Sequence, residues 1–425
     1  MIDRKKGPEI QTDFNLELKG VQARKLPNGL EFHESNSGTQ HIIKIELVFR
    51  TGRIHERQRA VAKAALSLIR EGSTRHKADE LAEIFDFYGA VVKSTAGMEV
   101  STVSLVVVER YFEKVWPVWL HMVFYPLYAE AEIDKYRQVT ASKFVNQLAK
   151  NDVQGYRKLT EEIFGADHPY GYNTQVADIQ ALTRDKILGY YNENFGLDTA
   201  LVVLSGRYKE PTRDRIRADL GAKKRQHKSP EPTFPKKPVF HKTFSIKTDN
   251  EVQVSIKYGR RLFDRRHPDY TSVSFLNAIL GGYFGSRLMR NIREDKGYTY
   301  GIYSALHGWT EDGFLYISAD VANAHVEATL TEIHKEMRIL REELVPSKEL
   351  EMVRNYLLGQ SLHLLDGPFA KGELVKNLIS KNRTLEDFNK AIVKFKTIQA
   401  AELREMAQRY LTEESFVTVL TGSLK

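Results

Sequence analysis

Over residues 42–49 apolar side chains alternate with polar partners, the period of two expected of a strand. Just upstream, residues 23–26 and 30–33 flank Pro27-Asn28-Gly29, and the Asn-Gly pair predicts a hairpin turn. The period then lengthens. Residues 60–69 are alanine-rich and helical in pattern. Over 77–88, Leu81, Ile84, Phe85 and Tyr88 fall on one helix face, which Gly89 closes. Strands are expected at 91–94 and 101–108, and an aromatic helix at 111–124. Helices at 132–148, 153–164 and 183–194 precede a strand at 199–205.

The second half repeats that order. A strand at 252–256, a helix at 270–280, a short helix at 287–294 and strands at 299–305 and 313–320 are expected. Val326, Leu330, Ile333, Met337 and Leu340 give residues 326–340 a strong apolar stripe. Ser347 is expected to cap a helix reaching about residue 365, followed by helices at 369–379 and 398–411 and a strand at 416–420. Two copies of one α+β unit are the simplest account. The expected division is an N-terminal unit over 1–220, opening with a polar arm, a linker over 221–238 and a C-terminal unit over 239–425. The linker, GAKKRQHKSPEPTFPKKP, reads as solvated and fairly stiff.

The stretch 280–301, LGGYFGSRLMRNIREDKGYTYG, holds the candidate chemistry. Gly281 and Gly282 end one helix pattern, and Ser286 is placed to cap the next. Leu288 and Ile292, four apart, share its buried face. Gly297 suits the left-handed residue that closes a helix. Tyr298, Thr299, Tyr300, Ile302 and Tyr303 then favour a strand. Arg293 in the last helical turn and Tyr300 in the departing strand can meet at such a corner. The glycines match neither G-x-G-x-x-G nor G-x-x-x-x-G-K-[ST], so no phosphate loop is present.

Composition narrows the options. The chain has 425 residues, 42% hydrophobic, enough for two to three domains with sizeable cores. A formal charge of +8 is diffuse: it suits acidic peptides or anionic surfaces, and no nucleic-acid motif accompanies it. The absence of cysteine excludes disulfides, thiol catalysis and thiolate metal sites. Residues 1–20 lack the apolar run of a secretory signal. The most apolar stretch, 115–125, contains Pro117 and is too short to span a bilayer. A cytoplasmic protein without a membrane span is expected, or a periplasmic one if a signal has been removed.

The run Ala-Ile-Leu-Gly-Gly-Tyr-Phe-Gly-Ser-Arg-Leu, followed by Ile-Arg-Glu-Asp-Lys-Gly-Tyr-Thr-Tyr, resembles the C-terminal signature of the pitrilysin/insulinase zinc peptidases, and most closely their processing-peptidase-like branch. Leu-Pro-Asn-Gly-Leu at 26–30 and His-Pro-Tyr-Gly at 168–171 also recur there. The resemblance implies two homologous domains, each a mostly antiparallel sheet with helices on one side. It also implies that Arg293 and Tyr300 help hold substrate and transition state, with Gly281, Gly282 and Gly297 supporting their loop.

Active members carry His-x-x-Glu-His on the first long helix of the N-terminal domain: two histidines bind zinc, and the glutamate takes a proton from zinc-bound water. A glutamate some seventy to eighty residues on completes the ligands. Anchored on Gly72, that motif falls here on Lys63, Leu66 and Ser67, and the last ligand maps to Ser142. No two of the thirteen histidines are four apart, so the motif occurs nowhere else. The resemblance therefore implies a chain holding no cofactor itself. Its expected role is the degenerate subunit of a heterodimeric zinc endopeptidase. It would contribute Arg293, Tyr300 and chamber wall to peptide cleavage at the zinc of a homologous partner. The alternative is a scaffold or peptide-binding protein with no part in proteolysis. No Ser/His/Asp set or paired carboxylates support a different enzyme.

Overall fold

The computed structural model describes residues 16–236, 241–249 and 252–423. Eleven strands form two sheets among these residues. The first contains β1 (Gln22–Lys25), β2 (Glu31–Asn36), β3 (Ile42–Phe49), β4 (Val91–Ala96), β5 (Ser101–Val108) and β6 (Ala200–Gly206), in the order β1-β2-β6-β3-β5-β4. The second contains β7 (Lys242–Lys247), β8 (Val254–Leu262), β9 (Thr299–Gly308), β10 (Gly313–Val321) and β11 (Val417–Gly422), in the order β7-β11-β8-β10-β9. Without β1, the two orders coincide. In each unit the last strand inserts beside the first and runs parallel to it, while every other pair is antiparallel. The molecule is thus an α+β protein of two like units.

The first unit's helices are α1 (Val61–Leu68), α2 (Ala78–Phe87), α3 (Phe112–Phe124), α4 (Glu130–Leu148), α5 (Asn151–Phe164), α6 (Val176–Gln180), α7 (Arg184–Asn194) and α8 (Glu210–Gly221). The second unit has α9 (Tyr270–Asn277), α10 (Val326–Glu342), α11 (Ser347–His363), α12 (Gly367–Ile379), α13 (Leu385–Thr397) and α14 (Ala400–Tyr410). The periodic segments emerge at their expected places. The short α6, α8, α13 and β7 are additions: α8 is largely polar, and β7 carries lysines at an exposed edge. Ser347 is the first residue of α11 rather than its cap.

Strand alternation distributes the core over both faces of each sheet. In β3, Ile43, Ile45, Leu47 and Phe49 join a cluster with α1, α2, α3 and α7, while Val48 faces the other way. The opposite face is covered by α12, a helix of the second unit, through Leu374, Val375 and Leu378 against Leu201 and Val203. The second sheet mirrors this. Ile256, Leu315 and Ile317 pack with its own helices, and α5 of the first unit lays Leu159 and Ile163 on Phe314, Tyr316, Val417 and Val419. Each unit thus lends one helix to the other's sheet. With both faces covered, β6 and β11 are buried throughout, β6 through the apolar run Ala200 to Leu204 and β11 with Thr418 and Thr421 buried among its apolar residues.

Glycines permit the two crossings. A Cβ at Gly372 in α12 would lie 2.8 Å from Ser205 Oγ, and one at Gly155 in α5 would lie 3.1 Å from Thr421 Oγ1. Charges seal them with inverted sign. Buried Glu46 on β3 meets Lys376 of α12 at 2.9 Å, and buried Lys257 on β8 meets Asp152 of α5.

Candidate functional site

Leu280 to Gly301 folds differently from the expected helix-turn-strand. Two π-type segments, Ala278–Gly282 and Met289–Asp295, flank the loop, the second in place of the α-helix expected at 287–294. Such wide turns concentrate at functional sites. Ser286 does not cap the second. Its hydroxyl is buried without a hydrogen-bond partner, and its carbonyl accepts from the Arg290 N–H at 3.0 Å. Leu288 and Ile292 are fully buried, as their spacing requires.

The three glycines serve two physical ends. Gly297 has φ +67°, the left-handed conformation that lets the chain leave the π turn for β9. Gly281 and Gly282 are packing requirements, since a Cβ at either would press on Ser304 N (2.6 Å) or Asn277 O (3.0 Å).

Tyr300 is placed by a β-bulge. The β9/β10 register runs one to one as far as Ile302 opposite Ala319, then jumps to Thr299 opposite Val321. Tyr300 and Gly301 together therefore face Asp320 alone. A bulge bends its strand and re-aims a side chain, and Tyr300 is 90% exposed. Thr299 fastens the bulge: its hydroxyl donates to the Asp320 carbonyl at 2.7 Å and accepts from the Gly301 N–H at 3.2 Å. A Cβ on Gly301 would meet no atom within 4 Å.

The fold brings Arg293 to Tyr300. The guanidinium carbon lies 5.7 Å from the Tyr300 ring centre and 4.6 Å from that of Phe284, which is also exposed. The cation lies over both rings, contacts of the cation–π kind that help hold it beside Tyr300. Beside it opens a cleft of about 600 Å³ lined by Gly281, Gly282, Phe284, Tyr300 and Tyr303 among others. Phe284 was not singled out from sequence. Its signal was an aromatic residue inside a glycine-rich loop, where burial is hard to arrange.

The zinc-motif positions lie elsewhere. Lys63 and Ser67 of α1 line a separate cleft of about 420 Å³, facing Tyr136, Thr140 and Lys143 of α4. Leu66 belongs to the hydrophobic core, and Ser142 is exposed on α4 and does not line the cleft. Thr140 and Lys143 thus line the cleft with α1, and Ser142, the expected last ligand position, turns away from it. Burial pushes the Tyr136 phenol above its ordinary pKa, against hydrogen bonds with the Ser67 and Thr140 side chains. An ammonium, a core leucine and a hydroxyl tied to a phenol do not fit zinc, which takes imidazole, thiolate or carboxylate. Among the described residues no group of three or more His, Cys, Asp or Glu is placed to hold a metal ion. The two clefts have no lining residue in common.

The profile of the family described as "Peptidase M16 inactive domain" matches residues 181–357, which include Arg293 and Tyr300. The chain is 21% identical over 404 residues to the uncharacterized zinc protease YmxG of Bacillus subtilis (strain 168), covering 93% of this chain and 97% of that protein. Over residues 181–357 the chain is thus similar to the M16 peptidase family. In fold it is similar to an M16 inactive-domain protein from Pseudomonas fluorescens, with TM-score 0.88 and 19% identity over 96% of this chain and 99% of that one. A protease from Helicobacter pylori is also similar, with TM-score 0.83 and 16% identity over 95% of this chain and 100% of that one. This chain lacks the zinc motif by sequence, and among its described residues no helix is long and apolar enough to cross a membrane.

Proposed function

We propose that this chain is the zinc-lacking subunit of a two-chain zinc endopeptidase of the processing-peptidase type. It presents Arg293 and Tyr300 to a peptide held at the zinc of a homologous partner. The observation that carries this is a contrast within the chain. Among the described residues the α1/α4 cleft gathers no set of three metal-ligating side chains, while the bulge at Tyr300–Gly301 presents an exposed Tyr300 on a separate cleft with the half-buried Arg293 beside it. A tyrosine hydroxyl and a guanidinium edge, set before charge develops, suit the oxyanion and carbonyls of a peptide under attack.

The test mixes this chain with a homologue that carries His-x-x-Glu-His. A 1:1 complex by light scattering that cleaves peptides, with this chain alone silent, is expected. Tyr300→Phe should assemble normally and lower turnover about 10²- to 10³-fold, the usual loss for one such donor. Arg293→Ala should also raise KM. If Tyr300→Phe complexes cleave at the wild-type rate, the pair is structural and a scaffold or peptide-binding role is the better account.

A further inference from the structure

The basic segment that follows α8 forms a second concave surface, distant in function from the Arg293/Tyr300 cleft. Lys223, Lys224, Arg225, Gln226 and Lys228 line a groove of about 1120 Å³ against Tyr125 at the end of α3 and Asn192 near the end of α7. The segment is pinned rather than loose. Asn28 donates to the carbonyls of Leu220 and Lys223, the Leu197 N–H donates to Arg225 O, and the Lys228 N–H donates to Glu193 O. Exposure alternates along it, so Lys224, Gln226 and Lys228 stand outward while Lys223, Arg225 and His227 are half-buried.

Two of these cations have a structural task. Arg225 donates to the Tyr191 carbonyl and Asn192 at the end of α7, and Lys223 sits over the rings of Phe124 and Tyr125. Lys224 and Lys228 have none. Among the described residues none of the four has an acidic side chain within ion-pair distance. By contrast, the cluster of Lys44 and Lys376 is matched by the carboxylates of Glu46 and Glu373. The local field is felt at the rim. His121 is held below its ordinary pKa by partial burial and then by the charges of Arg75, His76 and Lys223.

We propose that this groove binds an acidic peptide segment in extended form. The lining sets four cations against one carboxylate, Asp198, which accepts from the His227 N–H at 2.7 Å, and such an excess of one charge in a concavity concentrates anionic ligands. Lys224 and Lys228, four residues apart on one side of the strand-like stretch, are ~13 Å apart at ~3.3 Å per residue. Carboxylates at matching positions of an extended peptide reach both. Nucleobases find no free platform, because Tyr125 stacks on His121 at 4.8 Å and carries Lys223. A bilayer surface is flat on this scale and does not enter a groove.

The test is fluorescence anisotropy of the full-length protein with a labelled ten-residue glutamate-rich peptide. Saturable binding at 50 mM salt is expected, weakened about tenfold or more at 300 mM, as screening requires. Lys224→Glu with Lys228→Glu should weaken binding at least tenfold without changing the melting temperature. Lys114→Glu with Lys348→Glu makes the same change of net charge at exposed positions outside the groove, and should bind as wild type. Absence of binding at 50 mM salt, or equal loss in both double variants, overturns the proposal. So does tighter binding of single-stranded RNA of equal charge or of anionic vesicles. Peptide cleavage by a mixed complex is not read in this assay, so its outcome is independent of the role proposed for Arg293 and Tyr300.

Discussion

Lys376→Met removes one corner of a closed ring of charge that joins the two units. Lys376 lies 2.9 Å from Glu46 Oε1 and 2.5 Å from Glu373, and Lys44 lies 3.0 Å from Glu46 Oε2 and 3.2 Å from Glu373. Glu46 is 1% exposed. Methionine keeps most of the stem and its packing but leaves Glu46 with one cation instead of two. Breaking a buried pair outright costs ~3–5 kcal/mol. With Lys44 still on the other oxygen, about half of that, ~2 kcal/mol, is expected. Glu46→Leu added to Lys376→Met removes the stranded charge, leaves Lys44 paired with Glu373, and should recover most of the loss. The effect depends on pH. Burial raises the Glu373 carboxyl, but Lys376 and Lys44 outweigh it and hold the group below 4.5. A carboxyl depressed in the folded state adds stability above its unfolded pKa and loses it as pH falls through the folded value. The wild-type advantage over Lys376→Met should therefore shrink below about pH 4.5. Urea unfolding followed by tryptophan fluorescence and circular dichroism at pH 7 and pH 4 measures this. A single variant that unfolds at the wild-type midpoint, or a double variant less stable than the single, would refute the reasoning.

Purified protein should hold no stoichiometric zinc after dialysis, by elemental analysis. Lys63→His with Leu66→Glu and Ser67→His should not restore zinc, because Leu66→Glu places a carboxylate at a 1% exposed core position. Thr299→Val should loosen the bulge, costing about 1 kcal/mol of its geometry. It should lower turnover of the mixed complex several-fold, while Thr299→Ser keeps the hydroxyl and the rate. Gly301→Val points into open space, so its melting temperature should be unchanged or higher while peptide turnover by the mixed complex falls. A lower melting temperature would show that Gly301 is needed for the fold.

Local pattern determined much of this protein. The alternation in residues 42–49, the turn at Asn28-Gly29 and the stripe from Val326 to Leu340 each name their element, because the deciding interaction lies within a few residues. The repeated order of elements gave the two like units, and the missing histidine pair was visible by spacing alone. What the sequence could not show was pairing at a distance. Nothing local tells that α5 crosses to the second sheet and α12 to the first, since an apolar helix face carries no record of which sheet will cover it. The π turns are not legible locally because their period lies close to the α period, and the close packing of Gly281 on Ser304 within the first is a contact 23 positions along the chain. The same holds for the site. Arg293 and Tyr300 were nameable from sequence, but their separation of 5.7 Å is set by the bulge opposite Asp320, and the exposure of Tyr300 by the register between β9 and β10. Ser142 shows the limit from the other side. Counting placed the last ligand position there, and only the phase of α4 against α1 decided that Thr140 and Lys143 face the cleft instead.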